Sequence, residues 1–483
     1  MGLILGSGSG TKPQFPYDMW YGVQHDNTSK DYKLKRVGNL ELHKTLPLQN
    51  RMKRFVENED GTVKYYLHPN DSRLTEGGAK AILDGSDGNV MLELPEHYFR
   101  LEINGTSWIY AISEYPLPGF TKVERQTISP WFATYDNVNK KPVSASFLTW
   151  DGDNVKRDEN GLPVFSANAA NCRGGSNNAS WDGTYRSLIG MGRTSVNKNT
   201  VRGWCNAVGN GIHHGAGRAY NTIKWFQRIE YASMYNQDAY TAQLTDEGYH
   251  QGGLGSGCSC DGNQWNTHNG YNPFIPCGVT LPLGNNTGKV SYTVKNWAGG
   301  GTDKVFQVTS YRGFGVPFEY LWMLADDFLV YYGESESTLY VCKDPSKFTS
   351  HSDSATTVPE GYEAAVSLPR DDGWGLVEGI TSYGLSAVSK VGGSPTTGNT
   401  DQFWKNATVG WWGALLGAAA GDGAIAGFGC LGANSRSSYS NSRSDKAHTE
   451  SRTQQPHHDS QTHRAEHPTS LLWHSSRTDL YYL

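Results

Sequence analysis

Apolar and polar positions alternate clearly only in parts of the chain, and those parts predict strands. Val90-Met-Leu-Glu-Leu94 and His97-Tyr-Phe-Arg-Leu-Glu-Ile103 read as strands, and Trp108-Ile-Tyr-Ala-Ile112 reads as the returning partner of the second. Asn104-Gly105 between them predicts a type I′ hairpin turn, whose two central residues both need positive φ. Further strands are predicted at 290–294, 305–309, 328–332 and 339–342. One helix is predicted over 222–235, with Asn221 as its N-cap. Ile223, Phe226 and Ile229 share a face of it, and Trp225 and Ala232 adjoin that face. Residues 411–420 and 424–431 are rich in Gly, Ala and Leu and predict two buried strands, with Asp422-Gly423 turning between them. Residues 1–87 and 151–215 are turn-rich, with few sharp patterns. Residues 435–445 carry hardly any apolar side chain, and 446–483 hold 6 of the 15 histidines and read as a tail of low order.

Composition narrows the class. Charged residues make up 18% of the 483, below the usual figure of about 25%, and 57 are glycine. A coiled coil is excluded by that balance, and wholesale disorder by an aromatic content of 12%. The expectation is an α+β fold of short strands, many turns and few helices. A formal net charge of −5 argues against a nucleic-acid binder, because that role needs a basic surface. Leu3-Ile-Leu5 is too short for a secretory h-region, and no run approaches the 18 or so apolar residues that span a bilayer, so no membrane insertion is expected. The seven cysteines are odd in number and irregularly spaced, which predicts reduced thiols. Cys258-Ser-Cys260 lacks the spacing of a zinc knuckle.

Catalytic signals are weak. Gly253-Leu-Gly-Ser-Gly257 has the composition of a phosphate loop, but no strand precedes it and no helix follows. Asp326-Asp327 and Asp371-Asp372 read as solvated turns, and His213-His214 as a loop, since adjacent histidines in a strand point opposite ways. The more informative feature is a contrast. A Gly/Ala/Leu/Phe scaffold at 411–431 abuts a Ser/Asn/Arg/Tyr run at 434–445. Tyr gives contact area at low entropic cost, Ser and Asn adapt their hydrogen bonds, and Arg grips carboxylates. A low-complexity linker is the alternative reading.

Several stretches, in order, carry a resemblance. They are Arg36-Val-Gly-Asn-Leu-Glu-Leu-His43, Ile112-Ser-Glu-Tyr-Pro-Leu-Pro-Gly-Phe120, Trp181-Asp-Gly-Thr-Tyr-Arg-Ser-Leu188 and Glu230-Tyr-Ala-Ser-Met-Tyr-Asn-Gln237. Gln251-Gly-Gly-Leu-Gly-Ser-Gly257, Tyr271-Asn-Pro-Phe-Ile-Pro-Cys-Gly278, Leu415-Leu-Gly417 and Ala426-Gly-Phe-Gly429 follow. From about residue 30 to about 445 the chain resembles phage tail-fibre tip adhesins whose C-terminus is diversified by a retroelement. The resemblance implies a C-type-lectin-like domain with mixed antiparallel sheets, one or two helices and long loops, similar in frame to formylglycine-generating enzymes. It divides the chain into an N-terminal fibre-attachment region (1–87, small and β-rich), a ligand-display domain (88–445, variable over about 411–445) and a polar tail (446–483).

The implied function is receptor binding at the virion, without enzymatic activity or a cofactor. The implied partners are a host cell-surface glycan or protein and the tail-fibre or baseplate proteins, with the chain a homotrimer. A reverse transcriptase that mutates template adenines turns Asn codons into Ser, Asp, Tyr, His, Arg or Gly but never Lys, Glu or Trp. Residues 434–445 contain only reachable types, and Lys446 is not one. By position in the variable segment, the implied contact residues are Asp422, Asn434, Ser435, Arg436, Tyr439, Asn441, Arg443 and Asp445. The chain departs from the family where a closing Gly-Ser-Arg-Leu-Cys strand is usual, having Ser444-Asp-Lys-Ala-His448 instead. The calcium-site tripeptides of sugar-binding lectins are absent, so no obligatory calcium is expected. Three other functions compete: a retroelement-diversified cellular surface protein, which needs an export signal, a formylglycine-type oxidase, which needs a pair of cysteines where Cys430 is the one in that region, and a carbohydrate hydrolase of the tail, which needs a paired-carboxylate cleft that the sequence does not locate.

Overall fold

The computed structural model describes residues 18–173, 198–269, 273–368, 373–376, 379–380, 386–387, 402–405 and 408–436, apart from 27, 30, 210, 215–216 and 350. The fold is α+β, built of mixed antiparallel sheets with few helices. Its first ten strands are β1 (Tyr21–Asp26), β2 (Lys35–Gly38), β3 (Lys53–Glu57), β4 (Val63–His68), β5 (Asp71–Thr75), β6 (Asn89–Leu94), β7 (His97–Asn104), β8 (Ser107–Ser113), β9 (Thr121–Val123) and β10 (Gln126–Ile128). They form two five-stranded sheets, in the orders β2-β1-β8-β7-β9 and β10-β6-β3-β4-β5. Both sheets pair strands from either side of residue 87: β1 lies on β8, and β3 lies on β6 from Lys53↔Glu93 to Glu57↔Asn89.

The predicted hairpin is β7–β8, but its turn differs. Asn104 pairs with Ser107, so Gly105 and Thr106 are the central residues. Positive φ falls on Gly105 alone (62°), the pattern of a type II′ turn. Asn104 has stayed in the strand.

Among the later strands are β11 (Gly288–Val294), β12 (Lys304–Tyr311), β13 (Met323–Tyr332), β14 (Ser337–Cys342), β15 (Tyr362–Leu368), β16 (Gly373–Leu376), β17 (Gln402–Lys405), β18 (Gly410–Leu416) and β19 (Leu431–Arg436). Those predicted at 290–294, 305–309, 328–332 and 339–342 are all present. Seven of the nine build the largest sheet, in the order β15-β14-β13-β18-β19-β17-β16. The strand expected over 424–431 is not there. Residues Ala420–Ile425 wind into a 3-10 turn, with Gly423 at φ 60°, and the strand begins only at Leu431.

Among the helices are α1 (Lys198–Val208) and α2 (Gly217–Tyr231). Helix α2 is the predicted helix displaced by a turn, so Asn221 lies inside it and does not cap it. It ends with Ala232 in the left-handed region (φ 49°) and Ser233 N donating to Arg228 O at 3.3 Å, a Schellman closure without the usual glycine. Helix α2 pins the first sheet to the largest. Trp225 stacks on Tyr110 of β8 at 4.0 Å, Phe226 meets His97 edge-on, and Gly217 lies so close to Phe328 of β13 that a Cβ would come within 2.5 Å of its ring. One apolar core therefore runs from Tyr21 to Ala433. No two of the seven cysteines are bridged. No helix among the described residues is long and apolar enough to cross a membrane.

Candidate functional site

Strand β18 is Gly410-Trp-Trp-Gly-Ala-Leu-Leu416, and all seven of its residues are buried. Small residues let the flanking strands approach, and the two tryptophans fill the space beside them. Trp411 packs about 5 Å from the rings of Tyr331 and Tyr340 and donates its indole N–H to Ala355 O at 3.0 Å. Strand β19 runs antiparallel to β18, pairing Leu416↔Leu431, Leu415↔Gly432, Gly413↔Ser435 and Trp412↔Arg436 across one register shift. On its other side β17 pairs with it in parallel at Phe403↔Leu431 and Trp404↔Gly432. The first residues of β19, Leu431 and Ala433, are buried.

Of the expected contact residues, Asn434, Ser435 and Arg436 share this one strand, whose backbone the frame fixes. Asp422 stands on a different element and is half-buried. Its Oδ2 accepts a hydrogen bond from Ala419 N at 2.7 Å, closing the 3-10 turn that it occupies. That is a structural task, and its physical cause is local: a carboxylate three residues on satisfies an otherwise orphaned N–H. Tyr439, Asn441, Arg443 and Asp445 lie outside the described residues, as do Asp371-Asp372 and the 446–483 tail.

Within the sheet lies a buried ionic cluster that corrects one expectation. Asp326 and Asp327 are not in a solvated turn. Both are fully buried in the middle of β13, where the pairing with β18 skips from Ala325↔Ala414 to Leu329↔Gly413. In that bulge the two carboxylates go to different partners. Asp326 takes a two-pronged bond from Arg202 of α1 (Nε to Oδ2 2.5 Å, Nη2 to Oδ1 2.6 Å). Asp327 accepts from Gly217 N (2.8 Å) and Arg218 N (3.0 Å), capping α2 across the fold. Burial pushes the Asp327 carboxyl up, while Arg218 and the two backbone donors pull it back. His214, in the irregular segment expected for the histidine pair, is also fully buried, with Nδ1 3.8 Å from Asp326 Oδ2. The signal was present in the sequence: an acidic pair inside Met323-Leu-Ala-Asp-Asp-Phe-Leu-Val330 is flanked by apolar residues, which a solvated turn would not be.

Two more buried acids hold the scaffold. Glu230 on α2 receives Arg312 (Nη2 to Oε1 2.8 Å, Nε to Oε2 3.0 Å) and the Tyr311 hydroxyl (2.9 Å). Glu319 lies under the glycine-rich loop, where Cys258 N donates to its Oε1 at 3.4 Å. A Cβ at Gly257 would come within 1.9 Å of that oxygen, so the loop's glycine serves close packing over a buried acid. Burial pushes the Glu319 carboxyl well up, which favours its neutral form. No grouping of three or more His, Cys, Asp or Glu suited to a metal occurs among the described residues. Comparison with protein families, curated proteins and solved structures finds no match to this chain.

Proposed function

We propose that the chain is a receptor-binding protein of a phage tail-fibre tip, which contacts host cell-surface glycan or protein through the run that begins on β19. One observation carries the reading. A polar Asn/Ser/Arg/Tyr run issues from a strand that is paired on both sides at Leu431 and Gly432 and with β18 at Ser435 and Arg436, against a neighbour buried at every position. Such a frame separates the residues that fold from the residues that bind. Exchange of exposed side chains on it costs little, within about ±0.5 kcal/mol each.

The C-type-lectin-like frame, the homotrimer and the attachment role of residues 1–87 belong to the same proposal. Weak single-copy contacts would gain avidity from repeated copies on a virion. Cys430 is wholly buried, which speaks against a reactive thiol at this end of the chain and so against the oxidase alternative.

The test is adsorption. Fluorescently labelled protein is offered to a panel of bacterial strains, and the same panel is repeated with Tyr439, Asn441, Arg443 and Asp445 all changed to Ser. Strain-selective binding that the changed protein loses, with unfolding unchanged, is expected. Binding that persists on every strain after the change rejects the reading.

A further inference from the structure

Beside the C-terminal end of α2 the chain leaves a cleft of about 540 Å³, within the range of small-molecule sites. Residues 32–36, which lead into β2, line it together with 231–233, 238–241 and 249–252. Two isolated bridges, Lys33↔Ser233 and Tyr240↔Gly252, brace these segments. The polar groups of the lining fall into two sets of opposite charge.

The first set gathers round Arg36. Its guanidinium lies over the Tyr249 ring, 4.8 Å from the centroid, and Nη2 donates to Glu230 O at 2.9 Å and His250 O at 2.8 Å. Nε is sealed from solvent, while Nη1 is accessible and bonds to nothing in the chain. The guanidinium has carbonyls as partners and no carboxylate. Glu230, whose charge it feels, is bonded to Arg312 and Tyr311 instead. The hydroxyl of half-buried Tyr249 also has no partner among the described residues. The His250 side chain, 31% exposed, turns Nδ1 toward Glu230 Oε1 at 3.6 Å. A carboxylate on that side favours the proton on Nδ1, which leaves Nε2 as an open acceptor. The second set is Asp238, half-buried and without a cation among the described residues. Its Oδ1 accepts from Ala239 N at 2.7 Å, and its Oδ2 has only the Tyr32 hydroxyl at 3.5 Å. Lys33 is exposed on the same rim, where solvent screens its charge.

A cation and a hydroxyl that lack an anion, an acceptor beside them and a carboxylate that lacks a cation call for a ligand with two opposite charges. Tyr32, beside Asp238, and Arg36 stand four positions apart along the lining, on the order of 10 Å. The charges of one amino acid sit on a single carbon and cannot reach both ends, whereas those of two or three linked residues can. We propose that this cleft binds a short peptide with both termini free. The peptide carboxylate meets Arg36 Nη1 and the Tyr249 hydroxyl, a peptide N–H donates to His250 Nε2, and the α-ammonium lies on Asp238. The site is separate from β19 and stands whether or not the chain is an adhesin.

Isothermal titration of the full chain with trialanine, N-acetyl-trialanine and trialanine amide tests it. Trialanine is expected to bind, and each blocked form to bind about tenfold more weakly, the factor that one charge-assisted hydrogen bond supplies. The blocked peptides remove one contact each without touching the fold. Asp238→Asn keeps an acceptor for Ala239 N, and should weaken trialanine about tenfold while leaving the acetylated form as it was. Tyr249→Phe keeps the ring under Arg36, and should weaken trialanine and the acetylated form several-fold but not the amide. No saturable heat from trialanine, equal binding of the blocked forms, or unchanged trialanine binding by Asp238→Asn overturns the proposal.

Discussion

The hairpin β7–β8 and the bulged strand β13 answer the same demand in opposite ways. Each must satisfy its backbone and polar groups while turning an apolar face inward. The hairpin does so locally: its partner strand is two residues away, its turn rests on Gly105, and its outer residues stay in water. Strand β13 is buried on both faces, carries two acids at its centre, and reaches Arg202 across 124 positions of sequence. A hairpin of that kind is specified by its own residues. The bulge is specified only once the rest of the chain has arrived, so its failure should be the more damaging.

The largest expected effect lies in the bulge. Asp326→Ala leaves Arg202, nearly nine-tenths buried, without its carboxylate, and should cost about 3–5 kcal/mol. Urea unfolding measures the loss. Arg202→Met added to Asp326→Ala should recover part of it, since it removes the stranded charge. A single change costing under about 1 kcal/mol, the worth of a surface pair, would show that the layer is decoration.

Acid should act next. Burial pushes His43 and His97 down to about 4, from an ordinary value near 6.5. A folded value below the unfolded one gives stability that is complete above the unfolded pKa and is lost as pH falls through the folded one. Stability should therefore fall between about pH 6.5 and 4, on the order of 3 kcal/mol for each histidine. Asp327 and Glu319, raised by burial, act in the opposite sense and moderate the slope. His97→Phe keeps a ring against Phe226 and should flatten the profile in that window, and an unchanged slope would mean that His97 is not its source.

The hairpin should respond least. A Cβ at Gly105 meets nothing within 4 Å, so Gly105→Ala costs only the left-handed backbone, about 1 kcal/mol. Unfolding of the variant by more than about 3 kcal/mol would mean that the turn nucleates more than its own two strands.

The same division explains what could be read from the sequence. Alternation and a glycine turn predicted β7 and β8, and apolar runs bounded by turn residues predicted β11 to β14. The start of α2 was missed because its cap is Asp327, 110 positions away, while Asn221 stood in the right local place. Its end was missed because Ala232, and no glycine, takes the left-handed conformation. Residues 424–431 looked like a strand because Gly and Ala are small and apolar. Gly423 and the Asp422 bond to Ala419 N bend the chain into a turn there instead. Strand β19 begins later and runs into residues of poor β-propensity, since its pairing comes from β18 and β17 rather than from its own side chains. Of the expected contact set, Asn434, Ser435 and Arg436 fall on one strand. The sequence could not separate them from Asp422, whose nearest task is to cap.

The most direct measurement compares frame with surface in one experiment. Unfolding free energies are determined for Leu415→Ala in β18 and for a panel exchanging Tyr439, Asn441, Arg443 and Asp445 among Ser, Asn, Asp, Tyr and Arg. The account predicts a loss of about 2–5 kcal/mol for Leu415→Ala, a side chain 1% exposed, and changes within about 0.5 kcal/mol per exchange across the panel. Panel members that unfold as readily as Leu415→Ala would contradict it, because the run would then be part of the fold and not a face held in front of it.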